Sequence, residues 1–157
     1  MKLRDICSAL KAAIDATDFF QAQTIPAVKP AVACIIDDGT QHAAIEEQLS
    51  GNGFVVVIPP LLSAVNSDTS AHSNVVQTEV ECVVRILSNP TQNAAESSGA
   101  RRDIYESIEA ACSAVASASP SNGAKRFRAA PNLLQLISVD EGLLGYDLTF
   151  LKFSTVN

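Results

Sequence analysis

Four cysteines, two histidines and several adjacent carboxylates are the side chains here that could do chemistry. Nucleophilic or redox thiol chemistry needs a base, a metal or a second sulfur within reach. Cys7, Cys34, Cys82 and Cys112 stand far apart, without a C-x-x-C pair and without an evident histidine partner. Each lies inside an apolar pattern, so buried free thiols are the expected state; disulfides would belong to a secreted protein. His42 and His72 lack ligand spacing, and surface positions are expected for both.

The paired acids are Asp37 and Asp38, Glu46 and Glu47, Glu79 and Glu81, and Asp140 and Glu141. General acid–base work would want such pairs in a cleft with separated pKa values. These fall instead in turns, on a helix or on the polar side of a strand. Asp37-Asp38-Gly39-Thr40 reads as a turn, since a calcium loop needs more oxygen ligands at fixed spacing beyond the glycine. No G-x-S-x-G, glycine-rich phosphate loop or H-E-x-x-H occurs. The expectation is a protein that is not an enzyme and carries no cofactor and no metal.

The elements that must position these residues follow from periodicity. Val76, Thr78, Val80, Cys82, Val84 and Ile86 alternate with Val75, Gln77, Glu79, Glu81, Val83, Arg85 and Leu87. The first set is nearly all apolar and the second is polar in its middle, which predicts a long strand with one buried and one wet face. Leu3, Ile6, Cys7, Leu10, Ala13 and Ile14 fall at helical spacing and predict a helix over residues 2–17. Pro26 and Pro30 then force extended backbone, and Phe19 and Phe20 are apolar enough to tuck under a sheet.

Residues 31–36 and 54–58 are short apolar strands, with a helix over 41–50 between them that Gly51-Asn52-Gly53 stops. Pro59-Pro60 closes the second strand, and 61–74 shows no pattern of its own. Pro90 ends the long strand and opens a polar connection over 91–99. Ile104, Ile108, Ala111, Cys112 and Val115 mark a further helix, with Ser97, Ser98 or Asp103 at its start. After the basic group Lys125, Arg126 and Arg128, expected on a solvated face or in salt bridges, strands over 132–139 and 143–153 form a hairpin about Asp140-Glu141-Gly142.

This order predicts a single α+β domain over residues 1–157, with a mainly antiparallel sheet and helices packed on one face. Its mobile loops would lie about 59–74, 91–99 and 119–130. At 157 residues, 47% apolar and 18% charged, the chain can build one aliphatic core. The net charge of −6 argues against a sequence-independent grip on nucleic acid. Residues 1–7 carry Asp5 and do not read as a signal peptide, and no segment approaches the roughly 18 apolar residues of a membrane span. A cytosolic protein without membrane contact is expected.

The chain resembles the tail terminator, or tail-completion, proteins of long-tailed bacteriophages. The resemblance is one of element order over nearly the whole chain. It is carried by the N-terminal helix, by Gly51–Pro60 with its loop, by Glu79–Arg85 running into Ser88-Asn89-Pro90, by the Ala-rich helix from Arg101, and by the ending Asp140–Phe150. It implies a structural virion protein of the tail neck, found in the host cytoplasm during assembly. It further implies a homo-oligomer, a hexameric ring in the virion, that caps the head-proximal end of the tail tube and meets the tail tube protein and a head connector or completion protein. DNA would pass through the lumen without specific binding. The expected interface residues are Pro59, Pro60, Leu61, Asp68, Asn74, Glu79, Glu81, Arg85, Asn93 and Arg101. The alternatives are another head–tail assembly subunit, such as a head-completion or tube protein, and a small ligand-binding or enzymatic α+β domain.

Overall fold

The alternating stretch forms a strand in the computed structural model, which describes residues 3–21, 31–61, 64–69, 76–91, 103–118, 126–137 and 142–156. In chain order the elements are α1 (Leu3–Asp15), a 3-10 turn (Asp18–Phe20), β1 (Cys34–Ile36), α2 (His42–Gly51) and β2 (Phe54–Ile58). They continue with β3 (Ala64–Thr69), β4 (Val76–Ser88), α3 (Ile104–Ser117), β5 (Arg128–Ile137) and β6 (Leu144–Val156). The class is α+β and the sheet is mostly antiparallel.

β4 and β6 pair antiparallel over their whole length, from Val76 opposite Val156 to Ser88 opposite Leu144. β5 adds to the outer edge of β6, and β2 to the other edge of β4, with β1 parallel beyond it. A parallel pair needs a crossover, and α2 supplies it.

β3 corrects the expectation of an unpatterned loop over 59–74: it pairs antiparallel with the first half of β4. β2 and β3 lie end to end along one edge of β4, running in the same direction. Pro59 and Pro60 stand in the break, because proline has no N–H to give a ladder. The expected connection over 91–99 lies outside the described residues from 92 onward. Of the expected loop over 119–130, β5 takes the end: it starts at Arg128, preceded by the buried Phe127.

One face of the sheet carries Val56, Ile58, Val80, Cys82, Val84, Ile86, Leu148 and Phe150. α1 and α3 cover it, with Ile6, Leu10 and Ile14 at i, i+4 spacing, and with Ile104, Ile108, Ala111 and Val115. Complete burial of Ile6, Leu10 and Ile14 contributes on the order of 1.5–3 kcal/mol each. Phe20 of the 3-10 turn joins them, packed edge-to-face on Phe19 at 5.2 Å. Asp103 caps α3 by accepting from Tyr105 N at 2.8 Å and Glu106 N at 3.0 Å.

The helices divide between the two faces. α1 and α3 share the face just described, whereas α2 lies on the opposite one, where Leu49 and Ile45 meet Val55, Val57 and Leu87. The reason is β2, whose five residues are all buried and alternate between the two cores. An apolar run without alternation is what a strand covered on both faces requires.

The second face of β4 is consequently not wet: Val83 and Leu87 are buried, and so is Glu79. Gly145 sits between Leu87 and Ile137 on this side, where an added Cβ would stand 2.8 Å from Leu87 Cδ2 and 2.9 Å from Ile137 Cγ1.

Two outcomes follow for chemical denaturation. Val80→Asp sets an unpaired charge among α1, α3 and the sheet and should leave no folded protein. Gly145→Ala should fold but lose on the order of 1–3 kcal/mol, since two packed side chains must shift. An unchanged midpoint for Gly145→Ala would mean that Leu87 and Ile137 have room to move.

Candidate functional site

Three groups of side chains stand out: ion pairs on the α2 side of the sheet, ionisable groups inside the α1/α3 core, and an apolar edge at β5. On the α2 side, Arg85 and Asp147 are directly opposite each other on β4 and β6. The guanidinium donates from Nε to Oδ1 at 2.8 Å and from Nη2 to Oδ2 at 2.9 Å, a two-pronged pair. The hydrogen bonds to Asp147 raise the Arg85 pKa further above its ordinary value. Arg128 reaches from β5 to Glu79 on β4, donating from Nε at 3.1 Å and also from Nη2. Glu79 is only 3% exposed and lies against that guanidinium.

These pairs change the standing of the sequence-predicted interface. Glu79 and Arg85 are not outward and free, as the strand pattern suggested; both are tied within the chain, and Glu79 is buried. The apolar set was identified correctly, but Arg128 and Asp147 allow charged side chains to be covered on the second face. Glu81 is half-buried. Pro59 and Leu61 are half-buried, Leu61 against the α1/α3 core, and Pro60 is exposed. The chain at 59–61 runs on from the Val57–Arg85 pairing, so it lies near Glu81 and Arg85 along β4. Asp68 lies in β3 opposite Gln77. Asn74, Asn93 and Arg101 fall outside the described residues, as do Ser97 and Ser98.

Inside the α1/α3 core the sequence reading missed Lys152. It lies on the same strand face as Leu148 and Phe150 and is fully buried, with Nζ 4.9 Å from the Phe127 ring centre. Continuing the two-residue period past Phe150 would have placed it there. Burial lowers its pKa, and the nearby Cys82 opposes that shift.

The four thiols are free. Burial raises all four, Cys34 and Cys82 to about 12. Thiols held protonated are weak nucleophiles and weak ligands. Cys82 Sγ donates to Phe150 O at 3.4 Å, while the backbone oxygen of Cys34 accepts from Lys11 Nζ at 2.6 Å. Among the described residues, no group of three His, Cys, Asp or Glu side chains is placed to hold a metal ion, and no helix is long and apolar enough to cross a membrane.

The third group is apolar and exposed. Leu134 and Leu136 of β5 are 50% and 61% exposed. They stand opposite Leu148 and Tyr146, on the face that α1 and α3 cover farther in. Tyr105, 62% exposed, packs against Tyr146 with ring centres 6.2 Å apart. Hydrogen bonding between the two hydroxyls raises the Tyr146 pKa. Neither leucine was singled out from sequence, although both lie in the stretch assigned to the hairpin.

No protein-family model and no curated protein sequence matches the chain.

Two measurements test these assignments. Arg128→Ala should cost on the order of 1–3 kcal/mol by leaving the buried Glu79 carboxylate without its guanidinium. Adding Glu79→Gln should recover part of that loss; full additivity would deny the pair. Separately, Cys34 and Cys82 have folded pKa values near 12 against an ordinary 9.0. Their stabilisation is complete below pH 9 and is lost as pH rises toward 12, at up to about 1.4 kcal/mol per pH unit for each thiol. Lys152 acts with the opposite sign, because its lowered folded pKa lets the unfolded chain bind the extra proton. Urea titrations above pH 9 should therefore show a decline that the double variant Cys34→Ala/Cys82→Ala flattens.

Proposed function

We propose that the chain is a structural ring subunit that caps the head-proximal end of a phage tail tube and joins it to the head connector. The observation that carries this is the architecture: a mainly antiparallel α+β sheet built on a thirteen-residue β4, in the element order that the tail-terminator resemblance implies. The state of the ionisable groups supports it. Arg85, Arg128, Asp147 and Glu79 are engaged in intrachain pairs, and the thiols are held protonated, so the protein acts through shape and surface.

In this role the ring stops tube growth and presents a docking surface to the head. The net charge of −6 suits a conduit that DNA crosses without sticking. Exposed Pro60, in the break between β2 and β3, marks the surface on which ring or tube contacts are made.

The direct test is electron microscopy of tail tubes polymerised from purified tube subunits, with and without the chain. Tubes should stop elongating and end in a ring of density when the chain is present. Tubes that keep growing with bare ends would overturn the proposal. Pro60→Asp should leave far-UV circular dichroism and the melting temperature unchanged while weakening capping about tenfold, the scale of roughly 1.4 kcal/mol at one contact.

A further inference from the structure

The chain contains two tyrosines and no tryptophan. The fold brings the tyrosines together from distant parts of the sequence. Tyr105 in the first turn of α3 and Tyr146 near the start of β6 have ring centres 6.2 Å apart, with planes tilted by 57°. The two differ in freedom. Tyr146 is half-buried, with Ile86 of β4 and Leu136 of β5 as its cross-strand neighbours, and it packs against the α1/α3 core. Tyr105 is 62% exposed, so its side chain meets solvent and changes rotamer on the picosecond-to-nanosecond scale. A hydrogen bond between the hydroxyls adds a direct path for a phenolic hydrogen.

Indoles, phenols and thiols are the side chains from which an oxidant most readily takes one electron. Indoles are absent here, so thiols are the competing group. Cys34 and Cys82 are buried, Cys7 and Cys112 are half-buried, and burial keeps all four protonated. Cysteine oxidation follows thiolate character and exposure, which leaves Tyr105 as the first donor that an oxidant meets.

We propose that Tyr105 and Tyr146 form an oxidative cross-linking site. A peroxidase-type one-electron oxidant acting with hydrogen peroxide joins the rings into dityrosine and clasps α3 to β6. The oxidant first removes an electron and the hydroxyl proton from Tyr105, leaving a phenoxyl radical. That radical takes the hydrogen atom of the Tyr146 hydroxyl, and Tyr105, restored, is oxidised a second time. The two radicals then pair. A carbon–carbon bond forms between ring carbons ortho to the hydroxyls, and the hydrogens on those carbons pass to the oxygens. Two tyrosines and one peroxide thus give one dityrosine and two waters, the peroxide accepting both electrons. Hydroxyls in contact set the ortho carbons on neighbouring ring edges, and exposed Tyr105 swings in to close the remaining gap. Placement makes the coupling an internal step rather than an encounter between molecules. The link lies within one chain, so this inference does not rest on the tail-terminator proposal.

The test is oxidation of the full chain at low micromolar concentration with a haem peroxidase and hydrogen peroxide. After reduction of any disulfide, the main product should be a monomer two hydrogens lighter, with dityrosine fluorescence. Its digest should join the Tyr105 peptide to the Tyr146 peptide. Its melting temperature should rise by roughly 10 °C, because a closed loop restricts the unfolded chain. Tyr105→Phe and Tyr146→Phe, which keep the rings, should each give no fluorescent monomer. A photo-generated one-electron oxidant, used with and without urea, should form the link at least about tenfold faster in the folded chain. Oxidation that ends in cysteine products, in linked dimers alone, or in a link formed equally fast in urea would each overturn the inference. So would a cross-linked monomer that melts no higher than the untreated chain.

Discussion

The register between β4 and β6 is the constraint on which the rest of the structure depends. Two thirteen-residue strands pair without a break, and alternate side chains of each are committed to one of two different environments. A slip by one residue would turn Glu79, Glu81 and Arg85 toward α1 and α3 and expel Val80, Cys82 and Val84. Hydrophobic alternation sets this register, and charge holds it. Arg85 and Asp147 are direct cross-strand neighbours, and Arg128 reaches over β6 to Glu79. Three strands are thereby tied together on the side where apolar packing is thinner.

The uneven distribution of cover follows from what attaches to the free side of β4. A single chain path supplies that side twice, first as β2 and then, past Pro59 and Pro60, as β3. At the β2 end a parallel β1 is added through α2, and that crossover helix packs on the face opposite α1 and α3. Both faces are therefore closed around Val55, Val56 and Val57, a local three-layer arrangement. Toward β5 the cover from α1 and α3 runs out, and Leu134 and Leu136 remain exposed.

Much of this was legible because one period dominated each element. The alternation in β4, the i, i+4 stripe of α1 and the glycines that stop α2 gave the α+β class and most element positions; Gly53 takes the expected positive φ of 68°. What escaped were properties that depend on two distant segments at once. Arg85 and Asp147 become neighbours only through the β4–β6 register, and Glu79 meets Arg128 only once β5 has joined β6. β3 has the sequence Ala-Val-Asn-Ser-Asp-Thr, with little hydrophobic alternation, and it is a strand because β4 is long enough to offer a template. The exposure of Leu134 and Leu136 is a matter of where α3 stops covering the sheet, which local pattern does not encode. Of the interface positions, Pro60 kept its exposed place, while Glu79 proved internal.

The disposition of cations bears on how such a surface makes contacts. Lys11 lies with Asp15, Arg85 with Asp147 and Arg128 with Glu79, each cation matched by an anion, so these pairs leave the charge balance unchanged. Lys152 is buried over Phe127, on the core face of β6. Copies of the chain, and any polyanion near it, repel one another at long range, but physiological salt screens that repulsion within about 8 Å. Beyond that distance the chain has no general attraction to offer a partner. The association proposed above has to come from short-range fit, a form of attraction that net charge does not cancel.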